Sequence, residues 1–460
     1  MRGATLSLAC LALLVTSGCV QGPNYKRPLV ETPVAYRGAA GTPDVATSLG
    51  DERWSQVFAD PNLDALVQRA LQHNYDLRIA AARIDEAAAA VGLAHADELP
   101  SVSATGGVVD QRSALTQPRR NLAGIELGGS AAWQLDFWGR YRRATEAARA
   151  ELVATQWGRR AVMTTLVSSV ANAYFTLGSY DDQLAIAERT LDSRRESLRL
   201  TQAREQGGVT SLVDVRQAEQ LVYGASASIE DLRRQIAQQE NLINLLLGEN
   251  PGTVVRGGEV AVLPPPSDVP AGLPSSLLER RPDIAEAEQH LVAANAQIGV
   301  ARAAYFPSIA LTGSAGVQSA ALSTLLTGAS GVWAAAATAV APIVTGGRNR
   351  AQVAGAEARA QEATLEYQQV VQRAFHDVSD ALLAYAQGRA FREQEALLLQ
   401  AAQDARRLAD VRYQGGATSY LEVLDADTRL FNAELGLSDA ELRERAAYVE
   451  IYRALGGGWQ

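Results

Sequence analysis

The chain has 460 residues, 47% of them hydrophobic and 20% charged, with a formal net charge of −9. That balance belongs to a folded protein rather than a disordered one, and the acidic surplus argues against a nucleic-acid binder, which carries a basic patch. The only cysteines are Cys10 and Cys19, so the body of the chain can hold neither a disulfide nor a cysteine metal site.

The N-terminus reads as a leader. Arg2 precedes the apolar run Ala4–Val15, and Thr16-Ser17-Gly18-Cys19 follows. A positive charge, a short apolar run and then small residues form a secretory signal peptide, here residues 1–18. The run falls far short of the ~20 apolar residues of a membrane span. Small residues directly before a cysteine resemble the bacterial lipoprotein signal, which makes Cys19 the expected lipid attachment site. Val20-Gln21 after it lacks the Asp that retains lipoproteins at the inner membrane, which favours the outer one.

Residues 19–60 are studded with Pro and Gly and show no sustained period, as an extended arm would. Helical periodicity starts at Pro61. A second helix opens at Asn74-Tyr75-Asp76 and runs to about Asp97, before Pro100. Over Ser101–Val109 and Ile125–Phe137 the period changes to two. Ile125, Leu127, Ala131, Trp133, Leu135 and Phe137 share one face, with Glu126, Ser130, Gln134 and Asp136 on the other. Both segments read as strands, joined by a polar loop at Asp110–Gly124. From Tyr141 to Gln206 no proline interrupts the helical pattern, and a helix of that length is about 100 Å long. Val170, Leu177, Leu184, Leu191 and Leu198 recur at heptad spacing. Val215, Val222, Ile229, Ile236 and Ile243 repeat the habit in the next helix, 211–247. Sustained heptads mean coiled-coil packing.

Residues 251–274 form a proline-rich linker, after which the pattern restarts. A helix runs from Pro282-Asp283 to about Tyr305, strand-like segments cover 308–318 and 332–342, and helices fill 348–414 and 418–455. Between Ala303 and Gly347 there is no Asp, Glu, Lys or Arg. Two membrane helices or two outer-membrane strands could carry such a stretch. Its Gly, Ser and Thr content, and the alternation of Ile309, Leu311, Ala315 and Val317 with Ala310, Thr312, Ser314 and Gln318, select strands.

The chain is a duplication, with copies at 61–250 and 275–456. Gly208, Thr210, Ser211, Asp214 and Val215 match Gly416, Thr418, Ser419, Glu422 and Val423, while Gly92, Pro100 and Ser101 answer to Gly299, Pro307 and Ser308. A repeat this long is a duplicated domain rather than a solenoid. Each copy supplies two strands, and four strands cannot close a barrel, since an open edge in lipid leaves backbone groups unpaired at several kcal/mol each. The chain must therefore oligomerise; three copies give twelve strands. The expected fold is mainly α with a membrane β-barrel: duplicated long helices form a coiled-coil α-barrel beneath a trimeric twelve-stranded barrel, four strands per chain.

Four motifs carry a resemblance: Gly22-Pro23-Asn24-Tyr25 with Arg27-Pro28; Leu277-Leu278-Glu279-Arg280-Arg281-Pro282-Asp283-Ile284; Tyr305-Phe306-Pro307-Ser308-Ile309; and Tyr420-Leu421-Glu422-Val423-Leu424-Asp425-Ala426. With them the chain resembles the outer-membrane efflux factors of the TolC/OprM type, in the NodT-like lipoprotein branch. The resemblance implies a homotrimer with a periplasmic helical tunnel, and an equatorial band built from the 19–60 arm and the 251–274 linker. It also implies docking to a periplasmic adaptor (membrane fusion protein) and an inner-membrane pump of the RND type, for export of drugs or other small molecules. A protein-passing type I secretion outlet and a poreless coiled-coil lipoprotein scaffold are the competing readings.

The same resemblance makes the matched hairpins the periplasmic tips. Gly207, Gly208, Thr210 and Ser211, with Gly415, Gly416, Thr418 and Ser419, are the expected adaptor-docking residues. Tyr413, Glu422, Asp425 and Asp214 hold the places of the periplasmic gate. Glu422 and Asp425 are three apart, on one helix face. Three protomers would ring them into a cation-favouring constriction. The other reading is that Glu422 and Asp425 are a solvated face, with Asp425 paired to Arg429 four residues on. Thr418 stands where some family members carry an Arg that locks the closed state. No cofactor is expected beyond a lipid on Cys19. His73, His95, His290 and His376 are isolated and no nucleotide-binding or nucleophile motif occurs, so the chain reads as a non-enzyme whose driving energy comes from a partner.

Overall fold

The computed structural model describes residues 20–38, 48–112, 121–256 and 269–459. The expected leader 1–18, Cys19 and much of the proline-rich linker lie outside them. Strands β1 (Ser101–Arg112), β2 (Asn121–Leu135), β3 (Ser308–Ser319) and β4 (Gly331–Val340) form one antiparallel sheet in the order β1-β2-β3-β4. The charge-free stretch is thus two strands, and no helix among the described residues is long and apolar enough to cross a membrane. Pairing of β2 with β3 joins the two repeats. Leu135 faces Ile309, Trp133 faces Leu311 and Leu127 faces Val317, so the apolar face of one copy continues onto the other.

Several strand ends differ from the sequence expectation. The polar loop is shorter than Asp110–Gly124, because the ladder continues to Asp110↔Ala123 and Arg112↔Asn121. Backbone hydrogen bonds carry the pairing there and do not require an apolar side chain. β2 stops at Leu135, before Phe137. β4 ends at Val340, short of Pro342, which cannot donate to a ladder. β1 and β4 are left as edges, and every residue of β4 is exposed; such edges present unpaired donors and acceptors.

The helices are α1 (Trp54–Phe58), α2 (Pro61–His73), α3 (Tyr75–Ala96), α4 (Arg140–Gln206), α5 (Leu212–Leu247), α6 (Pro274–Arg280), α7 (Pro282–Ala303), α8 (Arg348–Gln414) and α9 (Tyr420–Ala454). The arm is not wholly extended. It contains α1, too short to show a period, which is fixed by tertiary contacts: Trp54 Nε1 donates to Asp64 Oδ1 at 2.9 Å, and Phe58 meets Phe175 and Tyr452 edge-on.

Contacts divide the chain into a unit of Met1–Leu29, Ala82–Gln156 and Glu286–Gln369, and a unit of Val30–Ala81, Trp157–Ala285 and Val370–Gln460. Each draws on both repeats. The first holds the sheet and an alanine-lined seam of Ala147 and Ala150 against Ala293 and Ala296. Its N-terminal arm is pinned by Glu288, which accepts from Tyr25 Oη at 2.9 Å and Arg27 Nε at 2.7 Å. The second unit buries Leu63, Val67 and Ala70 of α2 with Val170, Leu177, Ile243 and Leu247. The heptad residues Val215, Val222, Ile229, Ile236 and Ile243 of α5 are all buried. Arg281, buried in the same unit, donates to Asp283 Oδ1 at 2.9 Å, Asp377 Oδ2 at 3.1 Å and the Ala454 carbonyl. The Arg-Arg-Pro-Asp motif therefore joins the end of α6 to α8 and α9.

Candidate functional site: the paired hairpin tips

Both tips lie in the second unit and are built by the same backbone device. At the first, the Gly208 N–H bonds to the Glu205 carbonyl and the Val209 N–H to the Arg204 carbonyl. At the second, Gly416 bonds to Tyr413 and Ala417 to Arg412. This is the paired 5→2 and 6→1 helix ending, which needs a left-handed residue. Gly208 and Gly416 supply it with φ of 69° and 70°. Nothing crowds either α-carbon, so the backbone angle alone calls for glycine. Apolar side chains remain exposed at matched places: Leu200 with Leu408, and Val213 with Leu421.

The re-entry into the following helix differs. Ser211 caps α5 by accepting from the Asp214 N–H at 3.4 Å, while Asp214 Oδ2 accepts from the Ser211 N–H at 3.1 Å and from the Thr210 hydroxyl. The Thr210 hydroxyl, and next the Ser211 backbone, hold the Asp214 carboxyl below its ordinary range. At the second tip Ser419 makes no cap bond. Glu422 instead pairs with Arg412 Nη1 at 3.1 Å and accepts from the Thr418 hydroxyl. Asp425 faces Arg429 Nε at 2.8 Å, so the surface-pair reading describes it within the protomer. Tyr413 stacks obliquely on Tyr420 at 5.3 Å and lies 4.8 Å beneath the Arg204 guanidinium, a cation–π contact between the two hairpins. Tyr420 sits among Ala218, Ala409, Val423 and Leu424, and burial pushes its phenol up.

About two to three turns behind the tips lies a node that the sequence reading did not single out. Asp427 of α9 accepts from Arg194 Nε of α4 at 2.8 Å and pairs with Arg406 Nε of α8 at 3.5 Å. Arg194 also donates to the Leu221 carbonyl at 3.1 Å and covers the Phe431 ring. Helical spacing within one element could not reveal these partners. Reflection about the Gly416–Ala417 turn could have, since Arg412 and Glu422, Tyr413 and Tyr420, and Arg406 and Asp427 stand at nearly equal distances on either side of it.

The model of the family described as outer membrane efflux protein matches residues 66–249 and 273–457, one stretch in each half. The chain belongs to the outer membrane efflux protein family. Among its relatives, the toluene efflux pump outer membrane protein TtgC of Pseudomonas putida is 38% identical, covering 100% of this chain and 96% of the relative. The cation efflux system protein CusC of Escherichia coli is 36% identical, with 98% of each covered. Of solved structures, the outer-membrane channel OprN superposes with a TM-score of 0.88 at 30% identity, covering 96% of this chain and 100% of that one. The open state of the Neisseria gonorrhoeae MtrE channel gives 0.86 at 32%, covering 96% and 99%. This efflux protein is therefore an outer-membrane channel, mainly helical with a small antiparallel sheet, in a family of transporters.

Proposed function

We propose that three copies close their sheets into a twelve-stranded barrel and form a passive exit duct. Drugs or other small molecules reach it from an inner-membrane pump of the RND type through a periplasmic adaptor docked on the tips at 207–211 and 415–419. The carrying observation is the pair of open edges, β1 and β4, on a sheet of only four strands; in a bilayer those edges must meet edges of other copies. The lipid on Cys19 adds an anchor, no cofactor takes part, and the driving energy comes from the pump. Tyr413, Glu422, Asp425 and Asp214 form the closed entrance. With Thr418 in place of a locking Arg, each Glu422 is held by Arg412 of its own chain. The names of the relatives, running from toluene to cations, fit a duct whose cargo is chosen upstream.

Mass measurement in mild detergent tests the assembly: a trimer whose β-rich band shifts on heating is expected, and a poreless scaffold would appear as a monomer or dimer without that shift. In planar bilayers, joint replacement of Glu422 by Gln and Asp425 by Asn should weaken cation preference. Unchanged selectivity and conductance would remove these carboxylates from the gate.

A further inference from the structure

The first described residues are held in place where the strands hand over to the helices. The Gln21 N–H bonds to the Trp138 carbonyl at 3.0 Å. Arg143, buried on α4, donates to the Gln21 carbonyl at 3.2 Å and to Asn24 Oδ1 at 2.8 Å. Val20 lies flat on Gly139, where an added Cβ would come within 2.7 Å of the valine side chain. Glycine at 139 thus permits a close approach that fixes Val20, the residue next to Cys19 in the sequence.

Beside this staple is a cavity of about 270 Å³, with Leu135, Trp138, Phe306, Ile309 and Val340 on its apolar side and Gln134, Asp136 and Arg140 on its polar side. That is roughly nine water volumes at ~30 Å³ each. Leu135 and Ile309 are cross-strand partners on the apolar face of the sheet. Trp138 and Phe306 stack at 4.7 Å, and the Trp138 indole is oriented by its bond to the Pro307 carbonyl. The neighbouring Ile343 and Val344 are exposed, and Asp136 and Arg142 form an ion pair at the edge. Aromatic rings between an apolar band and paired charges mark a membrane–water boundary.

A recess with an apolar wall and a charged rim at that boundary, beside the residue that follows the expected lipidated cysteine, fits one occupant. We infer that an acyl chain carried by Cys19 folds back into this cavity against Trp138 and Phe306, locking the strand–helix junction, instead of projecting freely into the bilayer. The inference rests on lipidation of Cys19. It turns the anchor into part of the folded structure, with the arm from Val20 to Asn24 as its positioning device.

The test is to grow cells on a diazirine-bearing palmitic acid, irradiate them, purify the full chain and map cross-linked peptides by mass spectrometry. The expected product joins the peptide beginning at Cys19 to one carrying Trp138 or Phe306. It should be lost in Ile309→Trp or Val340→Trp, which fill the cavity from different strands; whichever retains the wild-type circular dichroism spectrum is read. Labelled Cys19 that cross-links only elsewhere overturns the seat, as does a cross-link that persists in a folded cavity-filled variant. Adducts on the Trp138 or Phe306 peptides from phospholipid alone would assign the cavity to a free membrane lipid and also overturn it. An intact mass without acyl groups on Cys19 overturns the anchor and the seat together, and so is distinguishable from failure of the seat alone.

Discussion

The two hairpin tips share an Arg, a Gly-Gly pair and a Thr-Ser pair at matched places, and differ at Glu205 against Tyr413, Leu212 against Tyr420 and Asp214 against Glu422. Arg204 and Asp214 at the first tip correspond to Arg412 and Glu422 at the second. Glu422 reaches across the turn to Arg412, while the shorter Asp214 closes on Thr210 and the Ser211 N–H. Arg204 turns instead to the ring of Tyr413 on the other hairpin. The first tip is thus stabilised by local capping, which depends little on salt, and the second by an exposed ion pair, which salt weakens. A duplicated sequence has in this way produced one tip closed by capping and one held by an ion pair.

The largest effect is expected behind both tips. Asp427→Ala leaves the buried Arg194 guanidinium, 6% exposed, without its carboxylate, and breaking a buried pair costs about 3 kcal/mol. Denaturant unfolding should show that loss, with faster hydrogen exchange in both hairpins because Asp427 joins α9 to α4 and α8; loosening of the second hairpin alone would refute this account of the node. Gly208→Ala and Gly416→Ala should each cost about 1 kcal/mol, since both substitute an uncrowded left-handed position. Equal losses in local exchange protection are expected, and a marked inequality would mean the two turns are not one device.

Capping separates the tips. Ser211→Ala should destabilise the start of α5 by about 1 kcal/mol, whereas Ser419→Ala, where no cap bond exists, should leave α9 unchanged by the same exchange measurement. The smallest effect is that of Arg412→Ala, about 0.5 kcal/mol for an exposed pair, and it should vanish in molar salt. Acid gives the matching contrast. Because the folded pKa of Asp214 is depressed, its contribution is fully present above the unfolded value of about 3.9. It is lost only as pH falls through the lower folded value. Protection of residues 209–212 should therefore persist at pH 4 and fail below it; loss already at pH 5 would contradict the capping role.

Much of this molecule is written in local pattern. Heptads such as Val215, Val222 and Ile229 announce coiled coils because burial on a helix recurs at a fixed angle. Alternation at Ile309, Leu311 and Val317 announces strands because successive side chains point to opposite faces. Glycine at 208 and 416 announces turns because few other residues tolerate positive φ. Those features depend on neighbours in the chain, so the sequence by itself determined the duplication, the strands, the long helices and the two tips.

What only the tertiary structure decided depends on which elements meet. The ladder past Asp110, the short helix Trp54–Phe58, and the pairing of β2 with β3 that joins the two repeats are set by partners far away in sequence. The same holds for Asp427 between Arg194 and Arg406, and for Val20 laid on Gly139 beside an apolar cavity. A charge or an aromatic ring has no period of its own. Its partner is fixed only when packing brings two segments within a few ångströms, as Arg412 meeting Glu422 and Arg204 meeting Tyr413 show.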